Sequence, residues 1–411
     1  MPTAQLPLLL PLLLTLSVQG LIACGMVALP VLLPAYAAEL GVQATFAGLI
    51  TATVYGGATL TALLVSARVR WLGAVRTCQA ALLAAGVGLC LAAGGSAPTM
   101  VTGALALGLG YGPVTAASAL LLTRAAAPRA YGLVFSINRV SIPFGAALAG
   151  AMLPTVSALM GWRSALATLG LLCFGCAWLL QAVRHLDSAD RAVAGAPQRL
   201  RVLVPLRDLL RHPKRRVLTQ ASLAFLAAQS CLAAFTVAFL VEELSYTYVQ
   251  AGVVLAAAQI AGVVARLVMG FVSDRLRRRT VVIALMGLSI AAANALAAAA
   301  GPSWHANAVL AVFLLYGAGA LGWNGVLLAE LVHTASPDQS GEIAGASAAI
   351  AFAGAVAGPV LFSTLLGWTG YGAAFGLLAL ATLACSVALL RFERRSRKPA
   401  TARACIDTSR S

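Results

Sequence analysis

The chain has 411 residues, 61% of them hydrophobic and only 10% charged, with a mean hydropathy of +0.92, whereas soluble globular proteins carry about 25% charged residues. This composition excludes a soluble enzyme. At ~20 apolar residues per membrane crossing, it leaves room for about a dozen spans and no segment large enough to fold as a separate catalytic domain.

In chain order, apolar runs bounded by charged, Gly or Pro punctuation fall near residues 8–36, 45–66, 77–95, 99–123, 131–155 and 162–183. A polar stretch follows from Arg184 to Arg216, and six more runs lie near 217–241, 248–273, 280–300, 307–332, 341–366 and 371–390. The expected fold is an all-α membrane protein of twelve transmembrane helices in two pseudo-symmetric six-helix bundles. Residues 1–183 form the first bundle, 184–216 a central loop, 217–391 the second bundle and 392–411 a basic tail. Leu21-Ile22-Ala23-Cys24 resembles a lipoprotein cleavage box, but no basic residue precedes the first apolar run and the run is too long for a signal-peptide core.

The net charge of +16 marks topology rather than a nucleic-acid partner. Of 28 basic residues, 25 fall in the tail, the central stretch and the loops after spans 2, 4 and 8, while the opposite loops carry only Arg163. The positive-inside bias makes the basic side, with both termini, cytoplasmic. Of the 28, 26 are Arg, a bias that points to a GC-rich bacterial genome and so to a bacterial inner membrane. In the central stretch, Leu200, Leu203, Leu206, Leu209 and Leu210 alternate with Arg199, Arg201, Arg207 and Arg211, the pattern of a basic amphipathic helix lying on anionic headgroups. Seven of the eight cysteines sit in apolar runs as packing residues. Cys173 and Cys176 form a C-x-x-C with no second Cys/His pair near it in sequence, so neither metal nor cofactor is expected.

The halves repeat. Gly108, Gly110, Pro128, Gly132 and Gly145 recur 209 positions later as Gly317, Gly319, Pro337, Gly341 and Gly354, and Gly161-Trp162 is matched by Gly367-Trp368. Secondary transporters are commonly built from such repeats, with the substrate near the midplane between them.

At the end of span 8 the sequence reads Gly270-Phe-Val-Ser-Asp274-Arg275-Leu-Arg277-Arg278-Arg279. This resembles the signature loop of the major facilitator superfamily. The resemblance implies a gate, in which Asp274 pairs with an arginine such as Arg278, beside Arg275, and faces the positive N-terminal end of span 11 near Gly341. The matching loop after span 2, Ser66-Ala67-Arg68-Val-Arg70, lacks both the Gly and the Asp. Small residues in spans 5 and 11, among them Gly150, Gly345 and Gly358, permit close helix contact. The Gly-Pro pair that drug/proton antiporters often carry in span 5 stands instead in span 11, as Gly358-Pro359, which takes support from a drug-efflux reading.

Intramembrane charges are functional-site hypotheses by default. Arg139 in span 5 and Arg266 in span 8 have no acidic residue at similar depth in the sequence, so a substrate carboxylate is the simplest counter-ion. Arg266, following Ala265, resembles the span-8 arginine of monocarboxylate and oxalate/formate transporters, although Gly262 replaces the acidic residue that monocarboxylate transporters carry one turn earlier. Asn138-Arg139 and Gly322-Trp323-Asn324 resemble the cyanate-permease-like branch. Further midplane candidates are Gln19, Tyr55, Tyr111, Gln229, Gln259 and Tyr316, and Glu330 with His333 is a candidate for proton coupling. The expectation is a monomeric carrier of a small organic anion by alternating access. Proton-coupled efflux of amphipathic drugs or metabolites is the alternative, and an enzyme has no supporting constellation.

Overall fold

A computed structural model describes residues 8–65, 69–126, 131–187, 207, 209–276, 278–334 and 340–397. Most of the basic amphipathic stretch of the central loop, Arg277, and the tail from Lys398 lie outside the described residues.

The protein is helical throughout this description. The first half comprises α1 (Leu9–Val31), α2 (Leu33–Leu40), α3 (Phe46–Val65), α4 (Val69–Leu72), α5 (Ala74–Ala93), α6 (Ala97–Ala125), α7 (Tyr131–Met160) and α8 (Trp162–Leu179), the last running into a 3-10 turn at Leu180–Asp187. The second half comprises α9 (Pro213–Glu242), α10 (Tyr248–Leu276), α11 (Arg279–Ala299), α12 (Ala306–His333) and α13 (Ser340–Arg397). Ten helices among the described residues are long and apolar enough to cross a membrane. Helix α3, Phe46–Val65, is apolar along its whole length as well, and expected spans 11 and 12 run together in α13.

The break inside α13 lies at Gly370, where φ is +81°. The equivalent break between α7 and α8 lies at Gly161, also at +81°, and these two residues are 209 positions apart. The partner of Gly161-Trp162 is therefore Gly370-Tyr371, not Gly367-Trp368. Burial shows why: Trp162 and Tyr371 are 5% and 4% exposed, whereas Trp368 is 81% exposed. Each buried ring tethers an acid at the end of a neighbouring helix, Trp162 Nε1 donating to Glu39 Oε2 (2.9 Å) and Tyr371 Oη to Glu242 Oε2 (2.8 Å). Arg163 also grips Glu39, at 2.5 Å, and its hydrogen bond, then that of Trp162, holds this carboxyl below the usual carboxylate range.

The repeated glycines make repeated contacts. A Cβ on Gly108 would strike the Val54 carbonyl of α3, and one on Gly317 the Ala258 carbonyl of α10; Gly145 and Gly354 stand in the same way against Gly20 and Leu223. Backbones this close exclude any side chain, the usual device for packing helices where lipid supplies no hydrophobic drive.

Between the halves, α7 packs on α10, α3 on α13 and α1 on α9. At the end opposite the arginine-rich loops these contacts are tight. A Cβ on Gly48 would overlap Ser363, and Gly150 and Gly252 meet backbone to backbone. Tyr248 Oη donates to the Val31 carbonyl (2.9 Å) and Ser363 Oγ to the Thr45 carbonyl (2.8 Å). Toward the basic end, Gly56, Gly270 and Gly345 have open space where a Cβ would stand. Among the described residues, the hydrogen bonds between the halves lie at the end opposite the basic loops and at the level of Arg266.

Candidate functional site

At the junction of the halves lies Arg266 on α10, half-buried. Its Nε donates to the Leu321 carbonyl of α12 (3.2 Å) and its Nη1 crosses between the halves to the Arg139 carbonyl of α7 (3.0 Å). A guanidinium has five N–H donors, so these two bonds leave three for another partner. Both acceptors are neutral, and the charge is left uncompensated. Arg139 is exposed on α7, and it and Tyr111 of α6 lie within electrostatic range of Arg266. Tyr111 in turn lies near Tyr55 of α3, whose ring is 6.3 Å from that of Phe352 on α13. Neither arginine has an acidic partner among the described residues. Spans 5, 8, 2, 4 and 11 thus bring two cations, two phenols and a phenyl ring to one level.

Asn138, adjacent to Arg139, is 3% exposed, and its Oδ1 has no hydrogen-bond partner among the described residues. The other candidates stand apart from this level or serve within one half. Gln19 Oε1 accepts from Ser141 Oγ (3.0 Å), pinning α1 to α7. Tyr316 is buried and donates to the Ala228 carbonyl (2.8 Å). Trp323 turns Nε1 onto the Ala320 carbonyl (2.8 Å) and sets its ring at 73° to Phe225. Asn324 Nδ2 donates to Gln229 Oε1 (3.3 Å), joining α12 to α9. Gln259 is buried on α10, seven residues before Arg266.

At the basic end, Asp274 on α10 is 73% exposed and pairs at 3.4 Å with Arg279. Its partner is the first residue of α11, not Arg278, which precedes that helix as its N-cap; Gly270 and Arg275 lie on the last turns of α10. Such an exposed pair contributes little to stability. Glu330 is buried and pairs with Lys214 Nζ at 2.5 Å, while Thr280 Oγ1 donates to it at 3.3 Å. His333, three residues on, is exposed, so the acid is engaged by Lys214 rather than by the histidine.

Sequence reasoning missed Phe352, Ser141 and Lys214, because a lone aromatic, a hydroxyl and a lysine at a helix start carry no pattern of their own. No group of three or more His, Cys, Asp or Glu residues among the described residues is placed to hold a metal ion.

The sequence matches the Major Facilitator Superfamily over residues 15–359. The chain belongs to that superfamily. Solved structures agree on the fold. The nucleoside transporter NupG, in a mutant form, superposes with a TM-score of 0.77 at 16% identity, covering 93% of this chain and 99% of its own. The peptide transporter POT in complex with sulfate gives 0.75 at 16%, covering 95% and 97%. A bacterial homologue of the human lysosomal transporter Spinster, inward-facing and occupied, gives 0.69 at 13%, covering 92% and 94%. No curated protein sequence is similar enough to count as a match. This superfamily member is a multi-pass membrane transporter of small molecules.

Proposed function

We propose that this transporter carries a small organic anion, a monocarboxylate fitting the site best, by alternating access between two six-helix halves (1–183 and 217–391) with twelve crossings. The observation that carries this reading is the pair Arg266 and Arg139. Two cations lie at the junction of the halves without an acidic partner among the described residues, and an unpaired charge inside a membrane protein is expensive. A carboxylate docked on the three remaining Arg266 donors compensates it through charge-assisted hydrogen bonds. Tyr55, Tyr111 and Phe352 supply the apolar and hydroxyl surface around the rest of a small ligand.

The test is the thermal stability of the purified protein against a panel of monocarboxylates, inorganic anions and lipophilic cations. A melting shift of several degrees with monocarboxylates alone is the expected result. A shift with lipophilic cations alone overturns the proposal in favour of drug efflux.

The chain is oriented by its charges, with residues 184–216 and the tail 392–411 on the cytoplasmic face of a bacterial inner membrane, and it works as a monomer. Alkaline phosphatase fused after Arg397 is expected to be inactive, and fused near Ser96 active. The opposite pattern reverses the orientation.

Asp274 acts in the conformation not seen here, when the basic end closes and brings it against the start of α13. Asp274→Asn is expected to leave the melting temperature nearly unchanged, since an exposed pair contributes at most about 1 kcal/mol, while slowing transport by about tenfold through loss of the closed basic end. Wild-type transport in this variant removes the gate from the mechanism.

A further inference from the structure

Away from the central site, a cavity of about 740 Å³ opens at the basic end of the first half, between Thr61 of α3, Trp71 of α4 and Arg76, Thr77 and Ala84 of α5, with α6 as its floor. Its volume is that of an ordinary ligand site.

Its surroundings are an exposed apolar surface of the first half. Leu60 and Leu64 on α3 are about half exposed, Trp71 is 63% exposed, and Leu83 and Val87 continue the exposed face of α5. Arg76 and Ala80 stand on that same face, each seven residues, two helical turns, before Leu83 and Val87 respectively.

Among the described lining residues, the two hydroxyl donors are already used. Thr61 Oγ1 is turned back onto the Gly57 carbonyl (3.0 Å) and Thr77 Oγ1 onto the Gly73 carbonyl (2.7 Å), each within its own helix. The small side chains of Ala80, Ala81 and Ala84 leave room for a chain of methylenes. Among the described lining residues one is charged, the exposed Arg76 guanidinium, with no acidic partner among the described residues. The nearby Asp187 carboxylate is committed to backbone, accepting from the Val75 and Arg76 amides at 2.9 and 3.0 Å. It does so because Gly73, at φ +95°, has no Cβ to obstruct it. Trp71 beside the arginine is the residue type that settles at the level of lipid headgroups.

We propose that this groove is a specific site for one anionic phospholipid of the adjoining leaflet, with an acyl chain lying between α3 and α5 over α6 and the headgroup phosphate on Arg76. The long arginine stem lies along the apolar wall while its charged end reaches the headgroup layer. Because α3 and α5 are held apart here by the groove and share α6 as a floor, a bound chain fills the space between them and braces the first half. The proposal is independent of which substrate the central site takes.

The experiment is native mass spectrometry of the full-length purified protein titrated with dioleoylphosphatidylglycerol or with dioleoylphosphatidylcholine, for wild type, Arg76→Gln, Arg76→Lys and Ala84→Trp. Wild type is expected to retain about one equivalent of phosphatidylglycerol in preference to phosphatidylcholine, and Arg76→Gln to bind it about fivefold more weakly, the effect of one basic residue on an anionic headgroup. Arg76→Lys retains the preference, and Ala84→Trp, which fills the groove, loses the tight equivalent of both lipids. Equal phosphatidylglycerol retention by wild type and Arg76→Gln overturns the proposal and leaves the lipid as unspecific annulus. Two other results also overturn it: inorganic phosphate competing the lipid away without change in Ala84→Trp, which assigns Arg76 to a free anion, and dimer content rather than lipid tracking Ala84→Trp, which assigns the groove to a second copy. Should Ala84→Trp fail to fold, the Arg76 pair decides alone, because that exposed side chain takes no part in packing.

Discussion

Arg266→Gln is expected to weaken binding of a monocarboxylate by at least about 100-fold and to abolish measurable transport, with the empty protein as stable as wild type or more so. The magnitude follows from chemistry. A hydrogen bond to a charged group contributes about 1.5–3 kcal/mol, and two of them correspond to about 150-fold or more in affinity. The stability prediction separates this role from a structural one. Arg266 gives two hydrogen bonds to backbone carbonyls, one of which a glutamine amide can replace, and the substitution removes a cation that has no acidic partner among the described residues. Removing an uncompensated charge from a membrane interior relieves a cost. A structural arginine would behave in the opposite way, with its loss lowering the melting temperature. Arg266→Lys keeps the charge but loses the planar fork, and about tenfold weaker binding is expected. A monocarboxylate bound normally by Arg266→Gln, in a titration calorimeter or a thermal-shift assay, sinks the anion reading at this residue.

The arginines were legible because charge in an apolar run is conspicuous, and because spans 5 and 8 are the helices that meet across the halves. What surrounds them was not. Tyr55, Tyr111, Tyr316 and Trp323 are equivalent in sequence, each an aromatic ring in an apolar helix. The fold divides them by which helix face they occupy: Tyr111 lies near the arginines with Tyr55 beside it, whereas Tyr316 and Trp323 are sealed in the second half. The repeat was legible through its glycines, since a close backbone approach must be met by the same residue in both copies. It misled at Gly367-Trp368, where dipeptide identity outweighed the 209-residue offset; the positive φ at Gly370 and the buried Tyr371 show that conformation, not the aromatic type, was kept. Glu330 illustrates a different limit. Helical spacing places His333 near it, but the buried carboxylate takes the lysine that the start of α9 delivers from more than a hundred residues away, a contact no local pattern encodes.

Gly252→Leu is expected to slow transport by about five- to 150-fold while leaving substrate binding intact. Gly252 lies near the start of α10, at the end where the halves are closed. A Cβ there would strike the Gly150 carbonyl of α7 and come within 2.6 Å of Pro154 Cγ. The obstacle is largely backbone, which cannot rotate away, so the two helices must separate for a leucine to be housed. Overpacking of this kind costs about 1–3 kcal/mol, and the cost falls only on the state in which this end is shut, because separated halves leave the side chain free. The equilibrium therefore moves toward the opposite opening by that amount. A cysteine placed at Val31, which is fully buried here and whose carbonyl receives the Tyr248 hydroxyl, reports the shift. Membrane-impermeant maleimide added to the face opposite the basic loops should label it faster in the Gly252→Leu background than in the Gly252 background. Arg266 and Arg139 are untouched by the substitution, so a monocarboxylate should still stabilise the protein. Unchanged labelling together with unchanged transport would show that the Gly150 and Gly252 crossing merely packs two helices and is not the seal that alternating access must open and close.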